Sequence, residues 1–327
     1  MSYAHLIKEI GRGAEGSRDM SCADAQQLYG AMLDGGVPDL ELGAILIALR
    51  MKGESNDEMV GFLAAASERT SILHAPAGRV RPIVIPSYNG ARKSPNLTPL
   101  LAMLLQRFSV PVVVHGLLEG YGRVTSGHIF RELGIMPCAS AGAAQQAINS
   151  KGLAFVPLSA IAGGLADLLS KRAILGVRNS AHSLVKMLDP FAGRGVIMAA
   201  ATHPAYMDMM RAVFGQIGAH ALLFRATEGE PFANPKRRPR IEHLHDGACD
   251  LLFEAEHDSL KSLPQLPDDS AAKATVDWMR AVLDGHSPLP QPLANQLACC
   301  LYASGYADDF NQAKAIVALE GNGLAVV

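Results

Sequence analysis

The segment from Ile83 to Gly127 has the layout of a phosphate-binding site, with an apolar strand-like run, a polar turn and a helical run in succession. The run Ile83-Val84-Ile85 leads into the turn Pro86-Ser87-Tyr88-Asn89-Gly90, and a helical pattern follows from Pro99 to Phe108. Backbone amides cradle an anion only where glycines let the chain come close to it. The proline and the tyrosine of this turn fill that space, so the sequence predicts an enzyme-like scaffold with altered chemistry.

Basic residues are concentrated in the middle of the chain. Residues 79–194 contain 13 Lys or Arg and 4 Asp or Glu, a net charge of +9, whereas residues 1–78 carry −5 and residues 195–327 carry −6. This asymmetry favours a polyanionic partner, and the alternative that it leaves open is a solvated basic face. The basic residues form short clusters: Arg92-Lys93, Arg123, Lys171-Arg172, Arg178, Lys186, Arg194 and, further on, Lys236-Arg237-Arg238 with Arg240.

The stretch from Leu175 to Leu184 places hydrogen-bond donors in the predicted first turns of a helix. It contains Arg178, Asn179 and His182. The amino end of a helix presents free backbone N–H groups and a partial positive charge, which suit a phosphate. The sequence therefore predicts a phosphate contact here, although each residue taken alone is also compatible with an exposed charge or a surface ion pair.

Several kinds of catalysis lack their usual motifs in this chain. The sequence has no H-E-x-x-H, G-x-S-x-G or G-x-x-x-x-G-K-[ST] pattern. The five cysteines show no C-x-x-C spacing, which favours reduced apolar residues over disulfides or zinc ligands.

No apolar run reaches the ~18 residues of a membrane span, and the first residues lack the pattern of a signal peptide. We therefore expect a cytoplasmic protein without membrane association.

Residues 1–78 read as amphipathic helices with clear start signals. Ser21 with Asp24, and Ser55 with Glu58, resemble capping boxes, and Asp39 is expected to cap the helix between them. That helix carries the run Ile45-Leu46-Ile47-Ala48-Leu49, which is more apolar than one buried face requires. The excess indicates a partner surface, as in a dimer.

From Arg79 onward, short β-branched runs alternate with helical stretches. The predicted strands are 83–85, 110–114, 153–156, 195–198 and 221–224. This alternation predicts βαβ units around a mostly parallel sheet, closed by helices at Leu293–Tyr302 and Phe310–Leu319. The expected fold class is α/β, with a small all-helical domain and a larger α/β domain whose mostly parallel central sheet is flanked by helices.

Several separated motifs, in the same order, resemble the anthranilate phosphoribosyltransferase family, which belongs to glycosyltransferase family 3 and has the nucleoside phosphorylase class II fold. They are Leu33–Pro38, Ala48–Gly53, the stretch from His115 to Ile135, and Leu175–Arg178. The resemblance implies a helical dimerisation domain formed by residues 1–78 with helices from about 165–190. It also implies an α/β domain of residues 79–164 and 191–327, and a homodimer formed through the helical parts.

The family's phosphate-binding residues are largely replaced in this chain. The glycine-rich loop that holds the pyrophosphate of phosphoribosyl pyrophosphate in the family falls at about Pro86 to Gly90. Val114 and Leu117 stand where the family has a lysine and an asparagine, around the retained His115. Without the glycine loop, a departing pyrophosphate is poorly stabilised.

Other positions match the family in part. Asn96 and Thr98 correspond to the next phosphate-contacting turn, and Arg172 to the family's anthranilate-binding arginine. The magnesium-holding Asp-Glu pair falls on Gly229 and Glu230, with Glu228 as an alternative carboxylate, so both are weak metal candidates. The turn Tyr88-Asn89-Gly90 and the run from Arg178 to His182 are similar to those of the YbiB-type branch of the family, which is described as nucleic-acid-binding.

The sequence favours two functions, and it leaves a purely structural dimer open as a third possibility. The first is sequence-tolerant binding of DNA or RNA by a homodimer on a degenerate phosphoribosyl pyrophosphate site, with no catalytic residues, no metal and no cofactor. The alternative is a phosphoribosyl or glycosyl transferase with an altered substrate, which would use Mg²⁺ with phosphoribosyl pyrophosphate. Few aromatic residues accompany the basic clusters, so we expect base stacking to be a minor contribution to binding. The predicted nucleic-acid or phosphate contacts are Arg92, Lys93, Asn96, Thr98, His115, Arg123, Lys171, Arg172, Arg178, Asn179, His182 and Lys186.

Overall fold

The computed structural model describes residues 3–13, 15–258, 265–267 and 269–320, and the predicted second domain ends in residues that lie outside these ranges. Helices α1 to α15 span Ala4–Ile10, Cys22–Leu33, Asp39–Lys52, Asn56–Glu68, Thr98–Arg107, Ser126–Glu132, Ala141–Lys151, Leu158–Ile161, Gly163–Ser170, Arg172–Leu175, Ala181–Leu184, Pro204–Ile217, Ala272–Leu283, Gln291–Ala303 and Phe310–Glu320. Strands β1 to β7 span Ile83–Ser87, Val112–Gly116, Leu153–Pro157, Val196–Ala201, Ala221–Arg225, Ile241–His245 and Ala248–Phe253. Within the described ranges, no helix combines the length and the apolar character needed to cross a membrane.

Serine side chains mark the starts of two amino-terminal helices. The Ser21 hydroxyl accepts the backbone N–H of Asp24 at 3.1 Å, and Ser55 and Glu58 form a complete capping box before α4. The prediction that Asp39 caps α3 is wrong, because α3 begins at Asp39 itself. As a first-turn residue, this aspartate still interacts favourably with the helix dipole.

The small helical domain combines helices from two parts of the chain. Helix α9 packs against α2, and α11 packs against α4 and α9. Leu165 and Leu168 of α9 share a buried cluster with Leu28 of α2 and Phe62 of α4. These contacts fix the segment from Arg172 to Leu184 against the amino-terminal helices, beside the sheet.

The strands form one sheet in the order β3-β2-β1-β4-β5-β6-β7. Strands β1 to β5 are parallel, whereas β6 and β7 are added in antiparallel pairing. The predicted α/β class with a mostly parallel sheet is confirmed, and the β6–β7 hairpin was not predicted. The chain builds outward on one side of β1 through β2 and β3, and then returns to place β4 on the other side. Such a reversal leaves a crevice at the carboxyl ends of the strands, where ligands bind in open α/β sheets.

Both faces of the central strands are buried. Ile83 and Ile85 of β1 pack into a cluster with α5 and α14, whereas Val84 points to the other face and packs with Val113 of β2 and Ala154 of β3. Burial on two faces explains why these strands read as continuous apolar runs. Packing on both faces therefore holds the strand ends in place, and with them the starts of the loops at the carboxyl edge of the sheet.

Candidate anion-binding site

Three loops meet at the carboxyl edge of the sheet. They follow β1, β2 and β5 and comprise residues 88–97, 117–125 and 226–230. An isolated antiparallel bridge joins the first two, with the backbone N–H of Ala91 donating to the carbonyl of Val124 at 3.0 Å and the reverse bond at 2.8 Å. The loop after β1 is therefore held in one position relative to the loop after β2.

The carboxylate of Glu230 occupies the turn after β1. One oxygen accepts the backbone N–H of Asn89 at 2.9 Å and that of Gly90 at 2.7 Å. The other accepts the hydroxyl of Ser87, together with longer bonds of 3.4 Å from the side chains of Asn96 and Thr98. Glu230 is fully buried, and burial raises the pKa of its carboxyl while these donors oppose that rise. Backbone N–H groups that could cradle an external anion instead bind an internal one.

Glu228 uses a second pair of backbone donors in the same way. Its carboxylate accepts the backbone N–H groups of Arg92 and Lys93 at 3.1 Å each, and its carbonyl accepts the side-chain amide of Asn89. Glu228 has a left-handed backbone with φ of 53°. The two carboxylates together accept the backbone N–H groups of Asn89, Gly90, Arg92 and Lys93.

These carboxylates do not fit a magnesium site. Magnesium requires oxygen ligands with free lone pairs in a near-octahedral arrangement. The carboxylates of Glu228 and Glu230 instead accept hydrogen bonds from N–H and O–H groups. Gly229, which lies between them in the chain, has no side-chain ligand to offer. In the part of the chain that the structure describes, no group of three His, Cys, Asp or Glu residues is arranged to hold a metal ion. Their weak prediction as metal ligands is not supported by this geometry.

Four arginines gather around the Asn89-Gly90 turn, and we call them the arginine cluster: Arg92, Arg123, Arg172 and Arg178. Arg178 donates to the side-chain oxygen of Asn89 at 2.7 Å, and Arg123 donates to the carbonyl of Gly90 at 3.2 Å. Burial lowers the pKa of Arg123, and the like charges of Arg92, Arg178 and Arg172 lower it further, although Glu228 opposes them. The guanidinium group of Arg123 is therefore close enough to the other three to be repelled by them.

The arginine cluster differs from the other basic clusters in its pairing. Among the ion pairs of the described residues, none includes a member of the cluster. Lys171 pairs with Asp167 at 3.2 Å, and in the more distant basic cluster Arg238 pairs with Glu256 and Arg240 with Glu242 and Glu254. Exposed ion pairs neutralise charge locally, so the arginine cluster keeps its positive charge, whereas Lys171, Arg238 and Arg240 share theirs with carboxylates.

Lys186 is a buried lysine near Tyr88 of the turn after β1. Its ammonium donates to the carbonyl of Ala200 at the end of β4 at 2.8 Å and lies 6.0 Å from the centre of the Tyr88 ring. Burial and the charge of Arg178 lower the pKa of Lys186 to about 8. Burial likewise lowers the pKa of His182 to about 3 and raises that of Tyr88 to about 12. Lys186 adds a fifth positive charge next to Glu230.

The predicted contact residues separate into two groups. Arg92 and Lys93 are exposed, and the half-buried members are Arg123, Lys171, Arg172 and Arg178. The other six are buried and bond within the protein or pack in its interior, which removes them from the reach of a macromolecule in this conformation: Asn96, Thr98, His115, Asn179, His182 and Lys186. Their predicted contact with a phosphate is therefore not supported by their positions.

The basic middle of the chain is also divided in space. Arg79, Arg81 and Arg194 precede β1 and β4 and so lie at the amino edge of the sheet, opposite the arginine cluster. Proximity in sequence could not show this division, because successive parallel strands return the chain to the same edge. Tyr121 is one of the few aromatic residues near the basic clusters, for which only minor base stacking was expected, and its position between Gly120 and Gly122 is typical of an exposed turn.

Comparisons with known proteins agree on the scaffold. Residues 4–70 match the family model described as the glycosyl transferase family, helical bundle domain. The chain is 45% identical over 308 residues to the uncharacterized protein YbiB of Escherichia coli (strain K12), covering 94% of this chain and 96% of that protein. It is 23% identical over 317 residues to the anthranilate phosphoribosyltransferase of Methylocella silvestris, covering 96% and 89%.

Solved structures show the same fold. The anthranilate phosphoribosyltransferase of Thermus thermophilus matches with a TM-score of 0.73 and 21% identity, covering 98% of this chain and 94% of that one. The enzyme of Saccharomyces cerevisiae in complex with PRPP and Mg matches with a TM-score of 0.71 and 13% identity, covering 99% and 96%. At these identities the likeness concerns the fold alone.

Proposed function

We propose a function on the premise that this chain belongs to the anthranilate phosphoribosyltransferase-like family, in which YbiB of Escherichia coli is a 45% identical relative. The proposed function is sequence-tolerant binding of nucleic acid, DNA or RNA, at the arginine cluster. The scaffold is that of a transferase, and its chemistry differs at the residues that would hold the activated sugar.

The observation that carries this proposal is the position of Glu230. Its carboxylate accepts the two backbone N–H groups of the turn after β1 at 2.7 and 2.9 Å, so an internal anion holds the place where a bound pyrophosphate would need donors. Bringing a diphosphate to the same groups would require a buried carboxylate to leave its partners, or two like charges to share one site. Both are costly inside a protein.

The arginine cluster supplies the attraction for a polyanion. Its four guanidinium groups and Lys186 carry five positive charges, against the two carboxylates of Glu228 and Glu230. Phosphate groups bind arginine through charge-assisted hydrogen bonds, and neutralised phosphates release counterions. Contacts to phosphates carry no information about the base sequence, so binding through them is expected to tolerate any sequence.

A salt titration of two charge-matched variants tests the proposal. Arg92 and Arg172 make no side-chain ion pair among the described contacts, so their joint replacement by Ala should leave the fold intact. Affinity for a 20-nucleotide oligomer should fall, and the slope of log K against log salt should flatten by about 1–2. The matched control replaces Arg107 and Arg194, two exposed arginines away from the cluster, and should leave affinity nearly unchanged. Equal losses in the two variants, or no binding by the wild type at low salt, would reject the site.

A phosphoribosyl transferase with an altered substrate is the second candidate. It is favoured by the relatives named anthranilate phosphoribosyltransferase and by the yeast structure with PRPP and Mg. Under this reading Mg²⁺ would be the cofactor, and Glu230 would have to turn away from its present donors. Calorimetry with phosphoribosyl pyrophosphate and Mg²⁺ separates the two candidates, because saturable heat would support the transferase and its absence would remove it.

A further inference from the structure

Tyr121 is an exposed aromatic side chain at the same edge of the sheet as the arginine cluster. It is 63% exposed, and it is the one aromatic among the large hydrophobic side chains that are exposed in the described ranges. Tyr88, in the turn after β1, and Phe191, three residues before Arg194, are also near basic residues in the sequence, and both are buried. Most of the Tyr121 ring is therefore accessible to a ligand.

The backbone holds Tyr121 at the tip of a tight turn. Tyr121 and Gly122 have φ of 50° and 78°, and the N–H of Arg123 donates to the carbonyl of Gly120 at 3.1 Å. Positive φ at both central positions and the closing hydrogen bond define a type I′ turn, in which Asn, Asp or Gly normally occupies the first central position. A tyrosine there costs conformational energy, and strain of this kind is concentrated at functional sites.

The turn is tied directly to the arginine cluster. Val124, which follows Arg123, forms the two-bond bridge to Ala91, which precedes Arg92. Arg123 also donates to the carbonyl of Gly90 at 3.2 Å. Tyr121 therefore lies two residues before Arg123 in a loop that is hydrogen-bonded to the loop of Arg92, and the antiparallel bridge brings Arg92 and Arg123 close together.

We propose that the arginine cluster takes an unpaired stretch of nucleic acid, with one base stacked on the exposed ring of Tyr121 and the adjoining phosphates on Arg92 and Arg123. This inference rests on the proposed function and specifies its ligand. It changes the expectation from the sequence, in which stacking was a minor contribution.

The chemistry of an isolated exposed ring favours a single strand over a duplex. In a duplex the faces of the bases are covered by their neighbours, so a protein ring meets them only after unstacking. In a single strand a base face is free, and stacking on an aromatic side chain is tolerant of sequence because every base has such a face. Arginines beside the ring then neutralise the backbone on either side of the stacked base.

Binding of two matched ligands by three proteins tests the inference. The ligands are a 12-nucleotide thymidine oligomer and an oligomer of equal length made of abasic tetrahydrofuran units, which keeps the phosphates and lacks the bases. The proteins are the wild type, Tyr121→Ala and Tyr121→Phe, where the phenylalanine keeps the stacking face and serves as the control. Tyr121→Ala should bind the thymidine oligomer about tenfold more weakly and the abasic oligomer equally well, while Tyr121→Phe should behave as the wild type.

Each other outcome has one meaning. Equal weakening of both ligands by Tyr121→Ala would overturn the inference, because the side chain would then act on the phosphates or on the loop. No weakening, or tighter binding of a 12-base-pair duplex than of the single strand by the wild type, would also overturn it. These results would leave nucleic-acid binding itself in place, whereas failure of the wild type to bind any of these ligands would reject the proposed function.

Discussion

Glu230 is the single residue on which the present form of the site depends most. Its replacement by Ala removes the acceptor of two backbone N–H groups and of the Ser87 hydroxyl. Buried donors left without a partner cost about 1–3 kcal/mol each, so Glu230→Ala should lower the thermal midpoint by several degrees. The emptied turn should then bind an external anion. Added sulfate should raise the midpoint of the variant more than that of the wild type, as measured by calorimetry.

The control for this measurement is Glu254→Ala, which removes an exposed carboxylate that pairs with Arg240. It changes the net charge by the same amount and leaves the turn after β1 untouched. Sulfate should raise its midpoint only as much as that of the wild type. An equal response of the two variants would show that sulfate acts through general charge effects, and that the turn is not an anion site.

The burial of Lys186 makes the stability of the folded protein depend on pH, with stability rising as pH rises. Its pKa is about 8 in the folded state against 10.5 as the ordinary value, so the unfolded chain holds more protons between these pH values. Stability should therefore rise with pH across that window, as the penalty for burying a charged lysine is relieved. The urea-unfolding free energy of the wild type, relative to Lys186→Met, should increase by up to about 3 kcal/mol from pH 7 to pH 10. A constant difference would mean that the buried amine titrates normally.

At the scale of elements, the segment from Lys171 to Arg178 should divide into an active and a neutralised part. Lys171 is paired with Asp167, whereas Arg172 and Arg178 are not paired with a carboxylate among the described contacts. Replacing all three by Ala should weaken binding equally for unrelated oligonucleotide sequences. Lys171→Ala alone should change affinity less than twofold, since an exposed ion pair contributes little. Filter binding with three sequences measures both effects, and a large loss from Lys171→Ala alone would contradict the assignment.

The elements themselves were largely predictable, because their signals are local. Capping serines and apolar periodicity located α2 and α4, and β-branched runs located β1 to β5. The β6–β7 hairpin was missed, although its connection Asp246-Gly247 has the positive φ values of a type I′ turn, 48° and 79°. Its strands are half polar, and polar alternation is a weaker signal than an apolar run.

The site was less predictable than the elements for a physical reason. Glu230 meets the N–H groups of Asn89 and Gly90 across about 140 residues of chain, and no local pattern encodes such a contact. The same limit explains why burial of His115 and Lys186, and neutralisation of Arg238 and Arg240, were not foreseen. Composition identified a basic middle of the chain, and only the fold separates its members between the two edges of the sheet.

At the scale of the whole molecule, helix α3 carries an apolar stripe that the monomer leaves open. Leu40, Ala44, Ile47 and Met51 recur every three or four residues and are exposed, with Leu40 at 88% and Met51 at 80%. The opposite face of the same helix is buried through Leu42, Ile45, Leu46 and Leu49. A helix that is apolar on both faces needs a second partner. We expect a second copy of the chain to cover the stripe, as the sequence predicts.

Charged residues in the stripe should separate the copies and reveal how the dimer contributes to binding. Leu40→Glu with Met51→Glu should give a monomer by light scattering after gel filtration, whereas Met136→Glu, at a 70% exposed position away from α3, should not. If the proposed dimer binds nucleic acid, its two arginine clusters would contact one long strand with an effective concentration that a monomer lacks. The monomeric variant should therefore lose at least tenfold in affinity for a 60-nucleotide strand and almost nothing for a 12-nucleotide one. An equal loss for both lengths would place the stripe in the binding surface instead of between copies.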